Sequence, residues 1–186
     1  REALEGESDA GGLLAYNHLA GEPIAALTEG RPLFVRTPDS RFTLANFMRA
    51  QLYGVFGTLS LGMRVLDSEG VELDQMFAHG GMFRTAGVTQ RFLAGALNAP
   101  VSVAATASEG GAWGIAVLAS YVSAAATGLS LDEYLRTQVF GDAEFETSEP
   151  VSDDVEGFAT YLERYRAGLE VERTAVDVLT LKGTTR

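Results

Sequence analysis

The sequence predicts an α/β fold in which a sheet is covered by helices. Three observations predict it. Short apolar runs have strand length, longer segments repeat apolar residues every three and four positions, and the two kinds alternate. Glycine, proline or a Ser/Asp/Asn cluster stands at most junctions.

Leu13-Leu14-Ala15-Tyr16-Asn17-His18-Leu19 reads as the first strand, and Ala20-Gly21-Glu22-Pro23 turns it. Leu33-Phe34-Val35-Arg36 reads as a second short strand, stopped by Pro38. From Thr43 to Leu66 the apolar residues Leu44, Phe47, Leu52, Val55, Phe56, Leu59 and Met63 recur at helical steps. Thr43 or Ser40 can cap that helix. Gly54, Gly57 and Gly62 each cost about 1 kcal/mol relative to alanine inside it, so they predict close contact with a neighbour.

Leu73 to Ala78 reads as a strand, and Val88 to Leu97 as a helix that ends at Asn98 before Pro100. Pro100 to Ala105 supplies another strand through Val101 and Val103. Ala112 to Ala126 is a helix of small residues, and the stretch from Gly110 to Ala126 is expected to be a buried helix; Leu131 to Val139 is a short one capped by Ser130. The last helix, Asp153 to Leu169, carries Phe158, Tyr161, Leu162 and Tyr165 on one face. The tail from Gly183 is expected to fray.

The composition narrows the function classes. The 186 residues suffice for one domain, and no window holds the ~18 consecutive apolar residues of a membrane span. Net charge is -11 with no Lys/Arg cluster, which argues against a nucleic-acid partner. The acidic run from Asp142 to Glu156 reads as a solvated linker and helix start, and it lacks the pattern of a calcium loop. There is no cysteine, so disulfides, zinc thiolates and a cysteine nucleophile are excluded. This composition suits a reducing cytoplasm. The chain opens without Met on the polar run Arg1 to Gly11, and reads as trimmed or as one part of a longer protein.

The segment carrying the most chemistry is Met76-Phe77-Ala78-His79-Gly80-Gly81-Met82-Phe83-Arg84-Thr85. A strand runs into two glycines and then a helix. Glycines let backbone approach a ligand, and helix amides behind them favour negative charge, so a nucleotide could sit here. The alternative is a tight turn without a ligand. Ser108-Glu109-Gly110-Gly111 has a similar layout, and its expected role is packing of a helix against the sheet. Neither a P-loop nor a dinucleotide fingerprint is present. His18 and His79 lack metal-ligand spacing and are expected to be structural, although His79 adjoins the glycines. Glu22 is expected to be a structural surface carboxylate, and Trp113, Phe77 and Phe83 to lie in the core.

In order, these features resemble the FGGY carbohydrate kinases over residues 11 to 140. Leu13 to Glu22 is similar to that family's apolar strand and Leu-Ser-Gly-Glu segment, and Arg49 to Leu66 falls on its long helix. Met76 to Thr85 resembles its strand with a Gly-Gly-Gly or Asp-Gly-Gly adenosine motif. Asn98-Ala99-Pro100-Val101 resembles its Gly-x-Pro-Val strand entry, and Glu109 to Val117 its Ala-Leu-Gly-Ala-Ala helix. The likeness is greatest to xylulokinase-like and L-ribulokinase-like members.

The resemblance implies a ribonuclease H-like, actin-like ATPase domain with a mixed sheet flanked by helices. Residues 1–150 would be most of the C-terminal nucleotide-binding domain, and 151–186 a helical extension packed on it. It implies ATP and Mg²⁺ as cofactors, and a pentulose such as xylulose or ribulose as the phosphoryl acceptor, in a cytoplasmic enzyme. Gly80 and Gly81 would approach the adenosine and α-phosphate, with Arg84 and Thr85 beside them. His79 replaces the usual Gly or Asp, Thr85 replaces Asn, and Met82 and Phe83 are bulkier than the usual residues. The family's catalytic Asp, phosphate turn and sugar-binding domain lie upstream, so no catalytic residue is assigned here and the isolated chain is expected to be inactive. A second reading is a non-catalytic binding or oligomerisation module on the same fold, with residues 43 to 66 as its surface and a homodimer as one outcome.

Overall fold

A computed structural model describes residues 1–85, 87–104, 110–141 and 144–179. The strands are β1 (Leu14–Tyr16), β2 (Leu33–Val35), β3 (Met76–Phe77), β4 (Val101–Ala104) and β5 (Phe145–Ser148). The main helices are α1 (Leu44–Ser68), α2 (Val88–Leu97), α3 (Gly110–Ala125), α4 (Leu131–Tyr134) and α5 (Ser152–Val178). β1 and β2 form an antiparallel pair with Ala15 opposite Phe34. β3 runs parallel to β4, and β5 runs antiparallel to β4, which makes the second sheet mixed. α1 and α5 pack on β1, and α2 packs on β4 and β5.

α1 begins where the Thr43 hydroxyl accepts the Asn46 N–H at 3.1 Å. The glycines of α1 are contact points. A Cβ at Gly54 would strike the Ala15 carbonyl, and one at Gly57 would lie 2.8 Å from the Tyr165 ring. At Gly62 it would meet Ile24 at 2.9 Å. α2 ends as the sequence predicts, with Asn98 in the left-handed region at φ 49°. Ser130 caps α4 by accepting the Glu133 N–H at 3.2 Å, and α4 continues through Val139 as a wider turn.

The core is aromatic. Tyr53 sits edge-on to Phe92 (5.6 Å between centroids), Phe158 (5.0 Å) and Tyr161 (5.1 Å). Tyr16 stacks on Tyr165 at 4.7 Å and donates its hydroxyl to the Tyr165 carbonyl at 2.9 Å. Burial pushes the Tyr53 and Tyr165 hydroxyls up to about 12, and raises Tyr16 and Tyr161 further. Beside the rings lies a buried charge cluster. Asp154 accepts from Arg91 Nε at 2.6 Å and from Arg49 Nη1 at 3.4 Å, while Arg49 also donates to the Ala3 and Leu4 carbonyls.

Several elements differ from the sequence reading. The first and third strands are shorter than their apolar runs, because pairing covers only Leu14–Tyr16 and Met76–Phe77. Part of the acidic run is a strand. Phe145 to Ser148 pairs with β4, Thr147 bonds the Ser102 hydroxyl at 2.6 Å, and Gln90 Nε2 donates to the Glu146 carbonyl at 2.7 Å. α5 continues past Leu169 to Val178 because Glu172, Ala175 and Val176 are buried as well. Among the described residues no helix is long and apolar enough to cross a membrane. Ser108, Glu109, Asp142 and the tail from Gly183 lie outside the described residues.

Candidate functional site: a glycine turn beside an aromatic cavity

Parallel pairing aims the end of β3 at the site. Met76 N–H donates to the Pro100 carbonyl at 2.8 Å and Ala78 N–H to the Ser102 carbonyl at 2.9 Å. The chain then leaves the sheet at His79. Gly80 takes φ 113°, ψ 170°, a conformation that side chains rarely permit. Gly81–Arg84 forms one tight helical turn, closed by Phe83 N–H on the Gly80 carbonyl at 3.0 Å. The Thr89 hydroxyl donates to the Met82 carbonyl at 2.9 Å, which ties this turn to the start of α2.

All four residues singled out from the sequence therefore lie on one turn. Gly80 is half-buried, while Gly81, Arg84 and Thr85 are exposed. A Cβ on Gly80 or Gly81 would meet nothing within 4 Å, so the space before the turn is open. The α2 N-terminus behind it has no side-chain cap at Gly87 and carries a partial positive charge. The turn offers backbone donors, a hydroxyl and a guanidinium, but no carboxylate that could act as a base.

His79 is exposed and packs against the first residue of α3. A Cβ on Gly110 would lie 2.8 Å from His79 Cβ and 3.1 Å from its Nδ1. The packing expected of the second glycine pair holds at Gly110 alone, against a residue just past the sheet, since a Cβ on Gly111 would meet nothing within 4 Å. The reading of Gly110 to Ala126 as a buried helix is corrected, because no residue of α3 is buried. Beyond His79 opens a cavity of about 390 Å³ between β3–β4 and α3. Its walls include Phe77, Ser102, Trp113, Phe140 and Phe145. Trp113 lies 5.4 Å from Phe140, and Phe77 lies 5.2 Å from Phe145. The expectation that Phe77 and Trp113 are core is corrected here, because Phe77 is 53% exposed and Trp113 is only half-buried. Phe83 does pack against the core. Sequence reading missed this wall because Trp113, Phe140 and Phe145 share no periodicity.

The remaining candidates stand apart from the turn. His18 Nδ1 meets buried Glu172 Oε1 at 3.0 Å, and its Nε2 meets the Thr58 hydroxyl at 3.1 Å, so His18 holds α5 to α1. Glu22 accepts the Ile24 N–H at 3.0 Å and shapes its own turn. Among the described residues no group of three or more His, Asp or Glu could hold a metal ion. A hard cation such as Mg²⁺ takes oxygen ligands, and the glycine turn has no carboxylate to offer. No step through Mg²⁺ is therefore derived from this chain.

The mixed sheet flanked by helices fits an actin-like fold. Xylulose kinase from Rhodospirillum rubrum superposes with a TM-score of 0.68 at 23% identity, covering 91% of this chain and 32% of that one. Gluconate kinase from Lactobacillus acidophilus gives 0.68 at 18% identity, covering 93% and 34%. The ligand-bound xylulose kinase from Lactobacillus acidophilus gives 0.66 at 19%, covering 95% and 34%. The chain thus spans about a third of the length of these structures. No curated protein matches it. Residues 1–123 match the C-terminal domain of the FGGY family of carbohydrate kinases, and the chain belongs to that family.

Proposed function

We propose that this chain is the adenosine-binding wall of a sugar kinase that moves the γ-phosphate of ATP to a pentulose such as xylulose or ribulose. The observation that carries the reading is the glycine turn. It stands at the end of a parallel strand, with Gly80 at φ 113° and open space before Gly81, in a member of a carbohydrate-kinase family. Backbone at Gly80 and Gly81 approaches the adenosine and α-phosphate. Arg84 and the Thr85 hydroxyl flank the nucleotide. Two of the three structures compared are xylulose kinases, which supports a pentulose over other sugars.

Phosphoryl transfer needs positioning of the γ-phosphate, charge stabilisation and a base on the acceptor hydroxyl. In this reading the base, the Mg²⁺ ligands and the sugar site belong to the N-terminal domain of a cytoplasmic parent enzyme. Residues 1–150 are then most of the nucleotide-binding domain, and 151–186 are its C-terminal extension, with α5 packed on the same body. The isolated chain binds ATP weakly or not at all and transfers no phosphate.

Two measurements test this. The native polypeptide that contains the domain is assayed for ATP-dependent phosphorylation of xylulose and ribulose, and activity on either is expected. The purified 186-residue chain is assayed in parallel and titrated calorimetrically with a non-hydrolysable ATP analogue. Phosphorylation by the chain alone would overturn the assignment of the base to another domain.

A further inference from the structure

A second cavity, of about 460 Å³, opens between the turn before β1, the connection from β2 to α1, and α5. A cavity of this size can enclose a small ligand. Among the described residues it shares no wall with the aromatic cavity and includes none of the glycine turn. Its lining is mostly polar and charged, and none of the described lining residues is aromatic. Several of the polar groups are already engaged. Arg164 Nη2 donates to the Asp9 carbonyl at 2.8 Å and to Asp9 Oδ2 at 2.9 Å, while Asp9 Oδ1 accepts the Gly11 N–H at 2.9 Å. Arg41 pairs with Glu7, and the Ser40 hydroxyl donates to the Thr37 carbonyl at 2.7 Å. These bonds hold the walls in place.

Other groups have donors or acceptors to spare. The Arg36 guanidinium stands over the Phe42 ring, 5.3 Å from its centroid, and among the described residues it has no hydrogen-bond or ion-pair partner. Stacking uses the face of a guanidinium and leaves its edge of N–H donors free. Arg164 Nε is buried without a hydrogen-bond partner. Asp39 is exposed, and the Thr37 hydroxyl holds its carboxyl below the ordinary range, so it is an ionised acceptor at neutral pH.

We propose that this cavity is a second ligand site, and that it takes a phosphorylated sugar with the phosphate on Arg36 and the hydroxyls on Asp39. A free guanidinium fork matches a phosphate, which it holds through two parallel N–H···O bonds. A carboxylate accepts from sugar hydroxyls. Arg41 and Arg164 are balanced by Glu7 and Asp9, so Arg36 is the cation left for the anion. Asp39 opposes a bare phosphate, and the two together select an anion that also carries hydroxyls. Without an aromatic wall, a nucleobase has nothing to stack on. The proposal goes beyond the nucleotide reading and does not rest on it.

The native full-length polypeptide is titrated calorimetrically with ribose 5-phosphate, inorganic phosphate and ribose. Ribose 5-phosphate should bind about ten-fold or more tighter than either of the others. Arg36→Gln should weaken it about ten-fold or more, and Arg36→Lys, which keeps the charge but not the fork, should fall between. Arg36 is exposed and bonds to no described residue, so the melting temperature of both variants should match the wild type. Equal affinity in the wild type and Arg36→Gln would overturn the site, and so would no binding at all. Inorganic phosphate binding as tightly as ribose 5-phosphate would overturn the sugar assignment. Asp39→Asn is the second check: it should weaken ribose 5-phosphate and not inorganic phosphate, and the opposite order would contradict the placement of the hydroxyls. A polypeptide that phosphorylates no sugar can pass these tests and an active kinase can fail them, so the two readings fail separately.

Discussion

A methyl group on Gly57 would press on the Tyr165 ring at 2.8 Å, whereas one on Gly81 would meet nothing within 4 Å. The same contrast divides the molecule. In the body built from α1, α2, α5 and β1, glycine marks close packing: Gly95 lies against Asp154, Gly157 against Ser8, and Gly168 against the Tyr16 hydroxyl. In the part built from β3, the turn after it and α3, Gly110 packs on His79, but Gly80, Gly81, Gly111 and Gly114 face open space. The first set is needed because elements touch. The second set leaves room, and at Gly80 and Gly81 that room lies where a nucleotide is proposed to sit. One residue type thus serves two purposes, and only its surroundings tell them apart.

Raising the pH should break the packed body first and produce the largest effect. Tyr16, Tyr53, Tyr161 and Tyr165 have ordinary values of 10.0 and are all raised by burial. Above pH 10 the unfolded chain releases protons that the native chain keeps, so stability falls as pH rises from there toward the folded values. Absorbance at 295 nm and circular dichroism should change together in one cooperative step. Gradual ionisation of these tyrosines with the helices intact would contradict the packing described.

Asp154→Ala comes next. It strands Arg49, whose side chain is 3% exposed, without its carboxylate. Stability measured by urea unfolding should drop by about 3–5 kcal/mol. Glycine replacements then test the contrast directly, because the same change should have opposite signs. Gly57→Ala should destabilise by about 1–3 kcal/mol through overpacking. Gly114→Ala, with nothing near its Cβ, should gain up to about 1 kcal/mol from helix propensity. Two losses of equal size would erase the distinction.

The packed body was largely legible in the sequence. The Phe158, Tyr161, Leu162, Tyr165 face of α5 is realised as a buried surface. The three- and four-residue rhythm of α1 marks a helix but not its buried side: Leu44, Val55 and Leu59 are exposed, while Arg49, Ala50, Tyr53 and Phe56 are buried. The far end of α5 was not legible, because Glu172 interrupts the apolar face and its partner His18 is 154 residues away. β5 was hidden by its charges. Phe145-Glu146-Thr147-Ser148 becomes a strand because β4 offers it an edge, and composition does not reveal that. The glycine turn announced itself through Gly80-Gly81, since left-handed and open backbone selects glycine locally. The cavity beside it did not, because its aromatic walls come from four separate stretches of chain.

The central claim is that the open glycine turn is a nucleotide wall and not a bare connection. Gly81→Leu in the native full-length enzyme tests it most directly. The side chain projects into empty space, so the melting temperature should stay within the change produced by about 0.5 kcal/mol. KM for ATP should rise at least ten-fold while KM for the sugar holds. An unchanged KM for ATP in the folded variant would contradict the account.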